Sequence, residues 1–153
     1  MSLGDFLFLA YLKLYKLGQP NNVAMVSEGM EDYLEAIYKL RGEKPVKTKQ
    51  IANELDVEQP SVSEMFQKLR DKGYISYRKY EGVRLSQEGK EIAEKVIKTH
   101  KSIKELLELI GVSEEKAEVD ACRIEHQLTD QTTSQLKKLL EDIRENIEDI
   151  DFD

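Results

Sequence analysis

Apolar residues recur every three to four positions along most of the chain, and the period changes in one place. Between 29 and 42, "GMEDYLEAIYKLRG" sets Met30, Tyr33, Leu34, Ile37, Tyr38 and Leu40 largely on one side of a helix. Gly42 ends that helix and Pro45 keeps it ended. Residues 47–57 predict a short second helix, with Ile51, Ala52 and Leu55 inward and Thr48 as its N-cap. A third is predicted at 58–73, with Pro60 in its first turn, a core stripe of Val62, Met65, Phe66 and Leu69, and Gly73 closing it. From 74 to 86 the period falls to two. Ile75 and Tyr77 alternate before a turn at Glu81-Gly82, and Val83 and Leu85 alternate after it, which predicts a hairpin. The helical period then resumes over 86–111, 113–128 and 129–150. Ser86 caps the first of these, which carries Ile92, Val96, Ile97, Ile103, Leu106, Leu107 and Ile110. The last carries Leu136, Leu139, Leu140, Ile143 and Ile147.

Three short helices followed by a hairpin rich in Lys and Arg form the pattern of a winged helix-turn-helix, and about three residues join its second and third helices. A third helix of this kind enters the major groove with its N-terminal half toward the base edges. Gln59, Ser61, Ser63 and Gln67 offer short polar groups there. Lys68 and Arg70 on the helix, and Arg78, Lys79 and Arg84 on the hairpin, suit phosphate contacts. A protein-binding winged helix is the alternative, and plain solubility is the alternative for each lysine. The apolar helices beyond the hairpin suggest a dimer. The expected fold is therefore mainly α, with a winged helix-turn-helix DNA-binding domain at 25–86 and an all-helical domain at 87–153.

Residues 1–24 stand apart. "LGDFLFLAYLKLYKLG" is apolar but too short to span a bilayer comfortably, and "GQPNN" breaks the chain after it. It predicts an amphipathic helix at 3–17 that packs on the body or on a partner, with a membrane-surface helix as the lesser alternative.

Net charge changes the picture only when it is localised. The whole chain carries −7, which argues against nucleic acid. From Tyr38 to Arg84, however, 11 Lys/Arg face 7 Asp/Glu, while from Gly111 to Asp153 only 5 face 13. A basic segment thus precedes an acidic one, and phosphate binding follows the local patch. The single cysteine excludes an intramolecular disulfide and is compatible with a reducing, cytoplasmic setting.

That cysteine lies in "DACRIEHQL", residues 120–128, with one of only two histidines. On a helix, Cys122, Glu125 and His126 fall within an arc of roughly 100°. Sulfur, oxygen and nitrogen donors presented together suit a divalent transition metal better than Mg²⁺ or Ca²⁺. A buried cysteine beside a surface glutamate and histidine at chance spacing is the plainer alternative. The other histidine, His100, lies on the long helix, and "MEDYLE" places Asp32 and Glu35 three apart on the first. Taken as ligands, those carboxylates would tie the DNA-binding unit to the later helices. No nucleophile–base pair or phosphate loop supports an enzyme, so no small organic substrate is expected.

"MEDYLEAIYKL", the run from "QIANELDVEQPSVSEMF" to "EIAEKVIKTH", and "DACRIEHQL" together resemble the diphtheria toxin repressor family of metal-dependent transcription regulators. The resemblance covers about Met25 to Glu141 and lies nearest the manganese transport regulator branch, with no room for the SH3-like third domain of the iron branch. It implies a homodimeric repressor on operator DNA, controlling metal homeostasis genes and activated by Mn(II) or Fe(II), one or two ions per subunit. It implies that the helical domain both binds metal and dimerises. It also implies the ligands. Asp32 and Glu35 match the first-helix carboxylates of the manganese branch, where the iron branch has a methionine at Asp32. His100, Glu125 and His126 match residues of both branches. Cys122 departs from the carboxylate of the bacillary manganese regulator and agrees with the iron branch. The iron branch's ancillary glutamate is Lys104 here, with Glu118 a candidate substitute. A metal-independent or thiol-redox regulator using Cys122 is the alternative.

Overall fold

The computed structural model of the chain describes residues 26–148; the expected helix at 3–17 and the end of the last helix, 149–150, lie outside the described residues. The elements follow the order of the periods: α1 Glu28–Leu40, α2 Thr48–Glu54, α3 Gln59–Asp71, β1 Ile75–Arg78, β2 Gly82–Leu85, α4 Gln87–Leu109, α5 Glu114–Ile124 and α6 Asp130–Glu148. Among the described residues the only sheet is the antiparallel hairpin, in the register Ile75↔Leu85 and Tyr77↔Val83.

One core cluster joins the winged-helix elements. Tyr33, Leu34 and Ile37 of α1, Ile51 of α2, Val62, Phe66 and Leu69 of α3, and Val83 of β2 are all buried in it. The ring of Phe66 meets Tyr77 edge-on, with centroids 5.1 Å apart. Each fully buried aliphatic side chain of this kind contributes roughly 1.5–3 kcal/mol. Ala93 of α4 belongs to the same cluster, so the long helix begins inside the core of the unit before it.

Two glycines permit close backbone approaches. Gly82, at φ 113°, lies where a Cβ would stand 2.6 Å from the carbonyl of Val46, whose strand-like bridge to Val83 holds the hairpin. At Gly89 a Cβ would stand 2.0 Å from the carbonyl oxygen of Tyr74. The first turn of α4 is therefore seated directly on the start of the hairpin, and the Ser86 N–H donates to the same Tyr74 carbonyl at 2.9 Å. Ser86 caps α4 as expected, its hydroxyl accepting from the Gly89 N–H at 3.1 Å.

Several local expectations are corrected. Lys47, not Thr48, is the N-cap of α2, and its N–H donates to the Gln50 side chain at 2.8 Å. The hairpin turn falls at 79–81, with Tyr80 at φ 72°, and Gly82 is already the first residue of β2. The helix expected at 113–128 stops at Ile124, with Glu125 as its C-cap. From there side-chain bonds to α1 and α4 replace the helical ladder. The next helix begins after Thr129, whose hydroxyl accepts from the Thr132 N–H at 3.3 Å.

In the second half, α5 packs on α4, and α6 runs beside α4 in the same direction. Lys95 pairs with Asp130 near one end, and Arg144 donates to Glu105 (Nε to Oε1, 2.8 Å) near the other. The buried apolar residues here are few: Val96, Ile103, Ala117, Ala121 and Leu140.

Candidate metal centre and nucleic-acid interface

Glu125 is the hinge of the site. Its side chain is 3% exposed, and its two oxygens meet two different imidazoles. Oε2 lies 2.7 Å from Nδ1 of His100 on α4, and Oε1 lies 3.2 Å from Nε2 of His126. His126, itself 3% exposed, then reaches α1. Its Nε2 is 3.1 Å from Asp32 Oδ1, and its Nδ1 is 2.6 Å from Glu31 Oε2. The far nitrogen of His100 is also engaged, Nε2 lying 3.0 Å from Glu118 Oε1. Alternating carboxylates and imidazoles therefore run from α5 through α4 and back to α1.

The sequence placed Cys122, Glu125 and His126 on one helical face. The structure corrects the reason, because α5 has ended before His126. What meets is a spatial cluster: donor atoms of His100, Cys122 and Glu125 lie within 4.8 Å of one another, with Cys122 Sγ 3.8 Å from His100 Nδ1. Around one transition-metal ion, with bonds of about 2.0–2.3 Å, neighbouring donors lie about 3–4.5 Å apart, so this set fits an ion after a small closure. His126 and Asp32 stand beside it through Glu125. Glu35 is oriented by Lys39, 2.8 Å away, and with Asp32, Ala36, Lys39, Glu54 and Leu55 it lines a small cavity of about 90 Å³. Glu31 was missed in the sequence, although its place beside Asp32 in "MEDYLE" was the available signal. Lys104 holds Glu118 at 2.9 Å and Glu114 at 3.4 Å, so an ammonium sits among the carboxylates around the iron-branch ancillary position.

The charges explain why such a cluster favours a cation. Burial pushes the carboxyls of Asp32 and Glu125 up, and the nearby charge of Glu35 adds to both shifts. Burial pushes the Cys122 thiol up as well, assisted by Glu125, Glu118 and Glu35. Burial opposes charge on His126, but the hydrogen bond to Glu31 and the charges of Asp32 and Glu125 outweigh it and raise the ring's value. A divalent ion among these groups would relieve the acidic surplus.

The predicted DNA face is separate from this cluster. Val62, Phe66 and Leu69 turn α3 inward, leaving Gln59, Ser61, Gln67, Lys68 and Arg70 exposed, with Ser63 half-buried. Arg78 and Lys79 are exposed on the hairpin, and Arg78 is 3.5 Å from Glu81. Arg84 donates to the Glu43 carbonyl, so part of its donor capacity is already used. Lys47 Nζ donates to the carbonyls of Tyr80 and Glu81 at 2.9 and 2.8 Å and pins the hairpin tip. Asp56, at φ 51°, turns the chain between α2 and α3.

Residues 25–83 match the model of the iron dependent repressor N-terminal DNA binding domain, and residues 86–149 match that of its metal binding and dimerisation domain. An uncharacterized HTH-type transcriptional regulator of Methanocaldococcus jannaschii is 37% identical over 125 residues, covering 80% of this chain and all of the relative. The HTH-type transcriptional regulator MntR of Bacillus subtilis is 41% identical over 106 residues, covering 69% of this chain and 75% of the relative. The crystal structure of the metal-dependent transcriptional regulator MtsR superposes with a TM-score of 0.66 at 29% identity, covering 73% of this chain and 53% of that one. A winged helix with an exposed polar α3, joined through buried acid–imidazole contacts to a metal-binding helical unit, thus places this chain in the iron dependent repressor family, the diphtheria toxin repressor family of metal-dependent transcription regulators.

Proposed function

We propose that the chain is a homodimeric repressor whose affinity for operator DNA rises when Mn²⁺ or Fe²⁺ binds among Asp32, Glu35, His100, Cys122, Glu125 and His126. The observation that carries this is His126, which contacts Asp32 of α1 and Glu125 at the end of α5 with the same ring nitrogen. Donors from the DNA-binding unit and from the helical unit therefore converge. MntR relatives and the manganese-activated repressor ScaR, 29% identical with a TM-score of 0.61, support manganese as one candidate ion. Asp32 favours a hard ion, while Cys122 admits Fe²⁺, Co²⁺ or Zn²⁺.

A bound ion supplies positive charge among these donors. Without it, the carboxylates of Asp32, Glu35 and Glu125 repel one another, and α1 is free to sample other positions against the end of α5. Drawn together, they hold the winged helix at the one separation from its partner copy that fits successive grooves. Moving a mostly inactive population to a mostly active one requires about 5 kcal/mol of preference for the DNA-competent form. By reciprocity, operator DNA tightens metal binding by the same factor.

The raised thiol of Cys122 disfavours the thiol-redox alternative, because the thiolate is the reactive species. The deciding experiment measures DNA affinity at buffered free Mn²⁺, Fe²⁺, Co²⁺ and Zn²⁺. Affinity that rises with one of these ions, and not at all in His126→Ala, is expected; unchanged metal dependence in that variant would remove the sensor.

A further inference from the structure

Each histidine of the cluster is gripped from behind by a further carboxylate, Glu31, which the sequence did not single out, or Glu118, which it offered as a candidate ligand. His126 turns Nε2 toward Asp32 and Glu125, at 3.1 and 3.2 Å, and Nδ1 toward Glu31, at 2.6 Å. His100 does the reverse. Its Nδ1 faces Glu125 at 2.7 Å and Cys122 Sγ at 3.8 Å, and its Nε2 faces Glu118 at 3.0 Å. Both outside carboxylates come from a different element than the ring they meet. Glu118 is itself fixed, its other oxygen lying 2.9 Å from Lys104 Nζ.

We propose that Glu31 and Glu118 are positioning residues that set the two imidazoles in opposite tautomers, so that His126 presents Nε2 and His100 presents Nδ1 to the ion. A neutral imidazole has one N–H and one lone pair. With Glu125 and Asp32 engaged by the ion, the nitrogen facing the outside carboxylate would keep its proton, and the other nitrogen would be the donor. Glu31 and Glu118 also restrain ring rotation, so donor direction is set before the ion arrives. For Glu118, held by Lys104, this means orienting His100 rather than being a ligand itself. The inference rests on the assignment of His100 and His126 as ligands.

The chain has only two histidines, so the ring signals of the whole protein are two spin systems. The test uses ¹⁵N-labelled full-length chain loaded with Zn²⁺, which is diamagnetic. Long-range ¹H–¹⁵N spectra should show metal-shifted Nε2 with protonated Nδ1 for one ring, and metal-shifted Nδ1 with protonated Nε2 for the other. Glu31→Ala should weaken Zn²⁺ binding about 10–100-fold and speed exchange of the His126 Nδ1 proton, leaving the His100 signals unchanged. Glu31→Gln, whose amide oxygen still accepts, should restore most of both, and Glu118→Ala should act on His100 alone. Circular dichroism confirms that each variant folds, and the Gln variant carries the test if Glu31→Ala does not. The same donor nitrogen on both rings, or Glu31→Ala without effect on His126, would overturn the proposal while leaving the ligands in place. Zn²⁺ binding with no shift on either ring would overturn the ligand assignment and the proposal with it.

Discussion

The winged-helix half and the helical half of this chain are built from similar numbers of residues but hold together differently. The first buries large side chains from every element, with Leu34, Ile51, Val62, Phe66, Leu69 and Val83 all at 0% exposure. In the second, two of the five buried apolar residues are alanines, Ala117 and Ala121, while Leu109, Ile110, Val119 and Leu139 stay exposed at 45–70%. One half closes its own core. The other carries apolar surface outward and places two ionisable side chains with little exposure, Glu125 and His126, in a charged cluster. Exposed apolar surface of this kind is in keeping with a metal binding and dimerisation unit.

The largest effect should come from breaking the self-sufficient half. Phe66→Ala should destabilise the chain by about 3–5 kcal/mol and abolish DNA binding with or without metal, as urea unfolding and gel retardation would show. By contrast, His126→Ala should cost far less urea stability without metal. It should lower metal affinity by more than the about 10–100-fold expected of an outer carboxylate, measured by calorimetry. Next in size, Ile110→Glu with Val119→Glu should convert the proposed dimer to monomer in sedimentation while the monomer stays folded. A two-half protein that unfolded instead would mean that these side chains stabilise the single chain.

Acid should act oppositely on the metal-free and loaded forms. Burial raises the carboxyls of Asp32 and Glu125 above their ordinary 3.8 and 4.5, and their neighbours raise His126 above 6.5. A raised group stabilises the fold fully below its unfolded value and loses that contribution as pH rises through the folded value. The metal-free protein therefore gains stability as pH falls, first through His126 as pH drops toward 6.5 and then, at lower pH, through the two carboxyls, and His126→Ala should reduce the first part of that gain. With Mn²⁺ the sign reverses, because the donors must shed those protons to bind. Melting curves between about pH 5 and 8, with and without Mn²⁺, would show crossing or parallel trends; parallel trends would count against the site. The smallest effect is expected at the surface: Arg78→Ala should weaken binding to all sequences alike and lower the salt slope by about 1.

How much of this was legible depended on the range of the interactions. The periods that gave α1, α3 and α4 are one-dimensional signals, and the buried stripe of Val62, Phe66 and Leu69 follows from them directly. The end of α5 was not legible. Nothing in "RIEHQL" breaks a helix, and the bonds that hold Glu125 and His126 come from residues 25 and 95 positions away. The same distance hid Glu31, which looks locally like an ordinary first-turn acid. The turn at 79–81 was misplaced because a glycine usually marks a turn, whereas Gly82 serves a close approach to Val46.

The glycine under the long helix has a mechanical consequence. With Gly89 seated on the Tyr74 carbonyl, α4 leaves the winged helix with no hinge at its root. Its 23 residues make an arm of about 34 Å. A tilt of about 0.1 radian at Gly89 moves the far end by about 3.4 Å, the rise of one base along a strand. In the proposed dimer, two such arms joined at their far ends convert a one-carbon change at the root into a misregister of about one base step between the paired readers. In that dimer, the absence of a single methyl group at position 89 would bear directly on the spacing of the two half-sites.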